Sequence, residues 1–476
     1  MNAPPDPPAP PLTPDLKRAL RQASCWAVMF GAGEASFNLL GAFLQAPASF
    51  FGLLAGIPQL LGPLAQVWAA NLVDKTRRRK LLVIVAVLAQ SVSFVPLVLL
   101  VFAGPGRLAQ AAFLVVVTVY FVAGHFSAPP WTGLIGDLVP AEGRFEYFAR
   151  QSRLVGTIGM VMQVAMGVGF YLGREYNALA WVFASGLALA GVARFGSFLC
   201  IQRMQEPPHE SSPDTVFTFW KFIRRARESN FVHFVLFAAL LHFGTQVAGP
   251  FFLPYWMYTL GYTEWEWVVQ SSITAVAAIL TMLGWGRFSQ RFGNRNTMLY
   301  TGYGIALIPV GWMLTENLLL LGLINAASGV LWAGFGLSTW NYLLEAVSPP
   351  KRPRCTAYLN IIVGLGIFGG SMLGSWLAGC LPLTLAFAGW SVTVKTTFMY
   401  LLALSFFLRL SACLLMLPTV RELRGDVERF SLKTSFFVIA QSRVPFGIRF
   451  SMTHFIEKKP AVPDVVEQVS NTDGSE

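Results

Sequence analysis

The chain is 476 residues long, 54% hydrophobic and only 12% charged, with a mean hydropathy of +0.55. Soluble globular proteins carry roughly 25% charged residues, so this composition excludes a soluble domain and requires a chain that lives in a bilayer. The net charge of +11 is expected to sit in basic loops on the inner membrane face, which explains it without nucleic acid.

Residues 1–23 are proline-rich and lack the basic-then-apolar start of a cleaved signal. The first helix is therefore expected to serve as an uncleaved anchor. Apolar runs of about 20 residues, enough to cross a roughly 30 Å hydrocarbon core as helix, then recur along the chain. The predicted spans are 24–45, 50–73, 80–103, 108–129, 151–172, 178–201, 231–258, 266–289, 296–315, 317–342, 357–380 and 397–417. The runs are continuously apolar and do not alternate, which reads as helix and not as barrel strand.

Lysine and arginine sort by side. One set of segments holds the KTRRRK cluster, Arg144, Arg150, Arg153, the basic residues of the central loop, Arg287, Arg291, Arg295, Lys351, Arg352 and Arg354. The alternate loops hold only Arg107, Arg174 and Lys395. That asymmetry puts both termini in the cytoplasm, and an even number of spans agrees. Residues 202–230 form the longest hydrophilic break and divide the chain into bundles at 24–201 and 231–420. A cytoplasmic tail over 421–476 follows, with an amphipathic stretch at 435–450 expected to lie on the inner face. Five scattered cysteines show no metal or redox spacing and are expected as free thiols.

The two bundles repeat one another. A shift of 208 residues pairs Asp137 with Glu345, Val139 with Val347, Arg144 with Arg352 and Gly156 with Gly364. The same shift takes Glu34 to His242 and Asn38 to Gln246, so each half places a polar pair at i, i+4 on one face of its first helix. At a larger shift ANLVDKTRRR (70–79) faces GRFSQRFGNR (286–295), pairing Asp74 with Gln290, Lys75 with Arg291 and Arg79 with Arg295. An insertion near YTEWEW is expected to account for the change. Arg194 and Arg409 also correspond; they are expected to pack and snorkel to the inner face, the alternative being that they close the cytoplasmic mouth.

Two six-helix halves, a long central loop and a loop of the form G-x-x-x-D-(R/K)-x-G-(R/K)-(R/K) resemble the major facilitator superfamily over about residues 20–420. The first loop departs from the motif at Ala70 and Arg77, where glycine is usual. The second keeps Gly286 and Gly293 but has Gln290 for the acid. The resemblance implies an all-α membrane fold of twelve transmembrane helices in two pseudo-symmetric bundles. It also implies a central cavity lined by spans 1, 4, 7 and 10, with Glu34, Asn38, His242 and Gln246 facing solute and Gln163 as a further candidate. A charged carboxylate at mid-bilayer costs at least a few kcal/mol, so Glu34 is expected to be neutral, paired or open to water. It serves either as a proton-coupling acid or as a permanently protonated structural one.

The loop motif implies gating. Asp74, Lys75 and Arg79, with Gln290 and Arg291, stand where a latch between the halves would form. KTRRRK read alone is a topology signal. Asp74→Asn is expected to cut transport while leaving expression intact, and unchanged transport would remove Asp74 from the mechanism. Asp137 and Arg144 with Glu345 and Arg352 are candidates for a second latch, or for a solvated cap on span 5. The loop PPWTGLIGDLVPAEGRFEYFARQSR is similar to that of the glycoside–pentoside–hexuronide cation symporters.

The expected function is a secondary transporter of a small solute by alternating access, coupled to protons. The alternatives are a sodium- or proton-coupled sugar symporter and a ligand sensor on a transporter scaffold. With no P-loop, metal cluster or nucleophile–base constellation, neither an enzyme nor a cofactor is expected. The bilayer and a small-molecule substrate are the expected partners of a monomer in a bacterial inner membrane.

Overall fold

A computed structural model describes residues 13–140, 144–207, 230–347, 352–387, 390–424 and 427. The proline-rich start, most of the central loop and the amphipathic stretch of the tail lie outside the described residues.

The chain folds into helices that cross back and forth. The first crossing is α1 (Pro14–Ala32) and α2 (Phe37–Phe43), joined by a 3-10 turn at Glu34–Ser36. There follow α3 (Ala48–Thr76), α4 (Arg79–Phe102), α5 (Arg107–Leu138), α6 (Arg144–Glu175) and α7 (Leu179–Gln202). The second half opens with α8 (Asn230–Ala248), a 3-10 turn at Gly249–Phe251 and an outer arm to Thr259. It continues with α9 (Glu264–Phe292), α10 (Asn294–Leu314), α11 (Leu318–Ala346), α12 (Arg352–Cys380) and α13 (Phe398–Met416). Among the described residues, eleven crossings are each long and apolar enough to span by themselves. The broken first one completes twelve.

Two differences from the sequence reading have local causes. α1 begins at Pro14, not at 24, because Thr13 accepts from the Leu16 amide (3.3 Å) and proline suits the first helical turn. α5 runs through Pro129 and Pro130 to Leu138, so much of the predicted loop is helix. A short antiparallel hairpin, β1 (Thr384–Phe387) and β2 (Trp390–Thr393), joins α12 to α13 and was not expected.

The repeat is visible in the hydrogen bonds. Arg144 Nη2 donates to the carbonyls of Gly136 (3.2 Å) and Val139 (3.0 Å), closing the end of α5. Arg352 does the same at α11, to Leu344 (2.9 Å) and Val347 (3.1 Å). All three pairs of residues differ by 208, and each cation satisfies carbonyls that a helix end leaves orphaned.

Elsewhere the shift is 215–216. Glu206 caps the α4 amide of Lys80 (3.1 Å), and Glu422 caps the α10 amide of Arg295 (2.9 Å). Arg77 and Gly293 both take left-handed backbone, at φ 55° and 86°. The first and seventh crossings break at 3-10 turns that begin at Glu34 and Gly249, and the sixth and twelfth bury Arg194 and Arg409. The change of register therefore lies in the third-to-sixth crossings and their counterparts, not near YTEWEW. It aligns Glu34 with Gly249, so the pairings of Glu34 with His242 and Asn38 with Gln246 do not hold.

Helix α12 shows why its glycines are needed. A Cβ on Gly366, Gly370 or Gly374 would fall onto the carbonyl oxygens of Ala239, Phe243 and Val247 on α8. Backbone cannot yield as a side-chain tip can. Gly370→Val is expected to cost about 3 kcal/mol through overpacking, read as a lower unfolding temperature in detergent. Gly336→Val, where a Cβ meets nothing within 4 Å, should leave it unchanged.

Candidate functional site

Glu34 stands in the 3-10 turn that interrupts the first crossing. The turn needs Gly33, because a Cβ there would sit 2.6 Å from the Ala190 methyl and 2.7 Å from the Phe94 ring. The chain is thus pressed against α4 and α7 where it leaves helical geometry, and the carboxyl is aimed into the first half.

Its partner is Tyr120 on α5, whose hydroxyl donates to Glu34 Oε2 at 2.6 Å. Tyr120 is fully buried. Phe37, Phe94 and Phe121 pack edge-on around its ring at 5.2–5.5 Å between centroids. That cage leaves the phenol little rotational choice. The Tyr120 carbonyl accepts from Gln90 Nε2 on α4 (3.1 Å), and Gln90 Oε1 accepts from Arg194 Nε on α7 (3.0 Å) and from its Nη2. The carboxyl and the guanidinium are near enough to attract each other. Four crossings therefore meet in one polar chain inside an apolar core.

Arg194 is buried at 4% exposure and does not snorkel, because Gln90 holds it in the bundle. Among the described residues its Nη1 has no partner, and the side chain lines a pocket of about 370 Å³ with Gln22, Trp26, Trp131 and Gln151. Arg409 is likewise buried. Neither Tyr120 nor Gln90 was expected. Gln90 had a signal, being the single amide in the run 80–103; Tyr120 had none, since aromatic residues are common in spans.

The remaining candidates are spread out. Asn38 is exposed between buried Phe37 and Leu39. His242 Nδ1 is 2.8 Å from the Ala238 carbonyl of its own helix, and its ring packs on Trp332 and Phe335. Among the described residues no hydrogen bond or ion pair joins it to Glu34. Gln246 lies on the α12 side of the seventh crossing, beside Gly370, and Gln163 runs past Gly31 of α1.

Of the loop residues, buried Arg79 pairs with Asp137 of the first half (2.7 Å) and donates to the Pro207 carbonyl at the start of the central loop (3.3 Å). Arg144 and Arg352 cap the ends of the preceding helices, α5 and α11, as above. Lys75, Gln290, Arg291 and Glu345 are exposed, and Arg291 lies over the Phe292 ring at 5.4 Å. The Asp74 side chain lies outside the described residues.

The halves are tied together toward the face opposite the termini. Arg174 at the end of α6 forks onto Glu264 at the start of α9, with Nη2 2.8 Å from Oε2, and Glu264 is 3% exposed. Ser375 Oγ donates to the Ser49 carbonyl (2.9 Å), and the Tyr258 hydroxyl to that of Ala46 (3.0 Å). Deeper in, Asn360 donates to Gln66 (3.1 Å). In the sequence Arg174 reads only as a loop charge, and Glu264 enters only as part of YTEWEW.

This architecture has solved counterparts. The structure of a point mutant of nucleoside transporter NupG matches at a TM-score of 0.64 with 12% identity, covering 86% of this chain and 99% of that one. That of a D-xylose-proton symporter matches at 0.60 with 14% identity, covering 87% and 98%. That of a bacterial homologue of the iron transporter ferroportin, in an inward-facing state, matches at 0.59 with 13% identity, covering 86% and 99%. No match was found among curated proteins. The family profile of the Major Facilitator Superfamily matches residues 23–370, and the chain belongs to that superfamily.

Proposed function

We propose that the protein is a secondary active transporter that moves a small solute by alternating access and couples it to protons through Glu34. The observation that carries the reading is the placement of Glu34 in a broken helix, bonded to a buried tyrosine of another crossing. A carboxyl in that position is costly when charged, and the cost depends on how far the surrounding helices open to water. Proton binding and helix arrangement are then linked, which is what coupling requires. One structural counterpart is a proton symporter, which is consistent with this.

In the proposal Asn38, His242, Gln246 and Gln163 contribute to the solute path. The ties around Arg174–Glu264 hold one face shut, while Asp74, Lys75 and Arg79 with Gln290 and Arg291 latch the other. Asp137, Arg144, Glu345 and Arg352 fix the helix ends on which that latch rides. The termini face the cytoplasm, and a monomer in a bacterial inner membrane suffices.

The test is proteoliposomes loaded with a pH-reporting dye and challenged with pooled sugars, nucleosides, amino acids and organic acids. A solute pulse that moves protons only in protein-containing vesicles is the expected result. Solute uptake with no proton movement in any pool would contradict the coupling.

A further inference from the structure

The second half repeats the architecture around Arg194 but omits the side chains that complete it. Arg409 on α13 stands at the place of Arg194 and is 2% exposed. By the shift of the helix breaks, Gly249 stands at the place of Glu34. By the shift that the Arg144 and Arg352 caps fix for α5 and α11, Ser328 stands at the place of Tyr120. Ile305 stands at that of Gln90.

Arg409 therefore turns to main chain. Nη1 donates to the Ile305 carbonyl (3.0 Å) and Nη2 reaches the Thr245 carbonyl at 3.5 Å, while Nε has no partner among the described residues. Among the described residues no acid pairs with it. Arginine does not discharge by losing a proton, and a buried charge without a counter-ion is destabilising.

The omitted side chains leave room. Gly249, Ser328 and Arg409 line one pocket of about 250 Å³, bounded also by Asn325, Trp312 and Trp332, and its lining holds no Asp or Glu. The first half fills the equivalent place with a carboxyl and an aromatic ring of its own.

We propose that this pocket, enclosed by α8, α9, α10, α11 and α13, binds a small organic carboxylate. The ligand's carboxylate pairs with Arg409 as Glu34 answers Arg194. Its body takes the space of the missing tyrosine ring, between the two tryptophans, with Asn325 and Ser328 offering hydrogen bonds. The site lies inside one half and does not depend on proton coupling.

The test is thermal unfolding of the full chain in detergent with benzoate, using benzamide as the uncharged isostere and sodium chloride at matched ionic strength. Phenylacetate and acetate bracket the size of the body. A saturable rise in unfolding temperature with an aromatic carboxylate, absent with benzamide and chloride, is expected. Arg409→Gln should abolish it. Ser328→Tyr, which restores the ring of the first half, should fill the pocket and abolish it as well, leaving the unliganded protein at least as stable as wild type. Equal stabilisation by benzamide or chloride, a shift that survives Ser328→Tyr, or no response to any of these carboxylates at millimolar concentration would overturn the proposal.

Discussion

Glu34→Gln is expected to abolish accumulation driven by a pH gradient, by about a hundredfold or more, while solute exchange at equal pH on both sides persists. Glutamine keeps the size of the side chain and its oxygen can still accept from the Tyr120 hydroxyl (2.6 Å in the wild type), so the fold around the turn is preserved. What it cannot do is bind and release a proton. Exchange needs the helices to open and close around solute but requires no net proton turnover, so the two activities separate. Loss of both in a stably folded variant would make Glu34 a structural or solute-binding acid; loss of neither would remove it from the mechanism.

Gly52→Val should shift the protein away from the arrangement seen here. Gly52 on α3 faces α12 of the other half, and a Cβ there would fall 2.8 Å from the Ser371 carbonyl and onto the Ser375 hydroxyl. Valine costs this closed face about 2 kcal/mol by overpacking, which is roughly thirtyfold in the ratio of closed to open. The opposite arrangement pays nothing, because the two helices part there. A thiol at Val268 reads the change, since that residue is 5% exposed and sits against Gly167 across a different contact between the halves. In a cysteine-free background carrying Val268→Cys, Gly52→Val should speed labelling by a membrane-impermeant maleimide in proportion. Unchanged labelling would mean that the α3–α12 contact does not gate that face.

The crossings were legible because burial in lipid imposes one rule on every backbone group, and continuous apolar runs obey it. Arg144 and Arg352 were legible as a pair because the helix-end geometry they serve recurs at a fixed spacing. The core of the candidate site was not. Glu34 stood out as an acid in an apolar run, but its link to Tyr120 depends on which faces of two distant helices meet, and no periodicity encodes that. Arg194 was misjudged for the same reason. Eight residues from the end of its helix it has the reach to snorkel, and only Gln90 on α4, brought opposite by packing, holds it inside. Gly33 looked like one small residue among many until the Ala190 and Phe94 contacts showed why the helix breaks beside it. The single shift of 208 misled because the register changes within each half, and loop motifs do not report on crossings beyond the change.

The central claim is that the two halves rock about the Glu34 site under the control of its proton. Its most direct test is a pair of spin–spin distances in lipid, each recorded across a range of pH. One pair joins Glu175 and Lys395 on the face opposite the termini; the other joins Thr76 and Glu345 on the terminal face, and all four positions are exposed. The account predicts two populations that change reciprocally, one face lengthening as the other shortens, with a pH-dependent ratio in the wild type and a pH-independent one in Glu34→Gln. A single fixed distance on both faces, or a pH response that Glu34→Gln leaves intact, would contradict it.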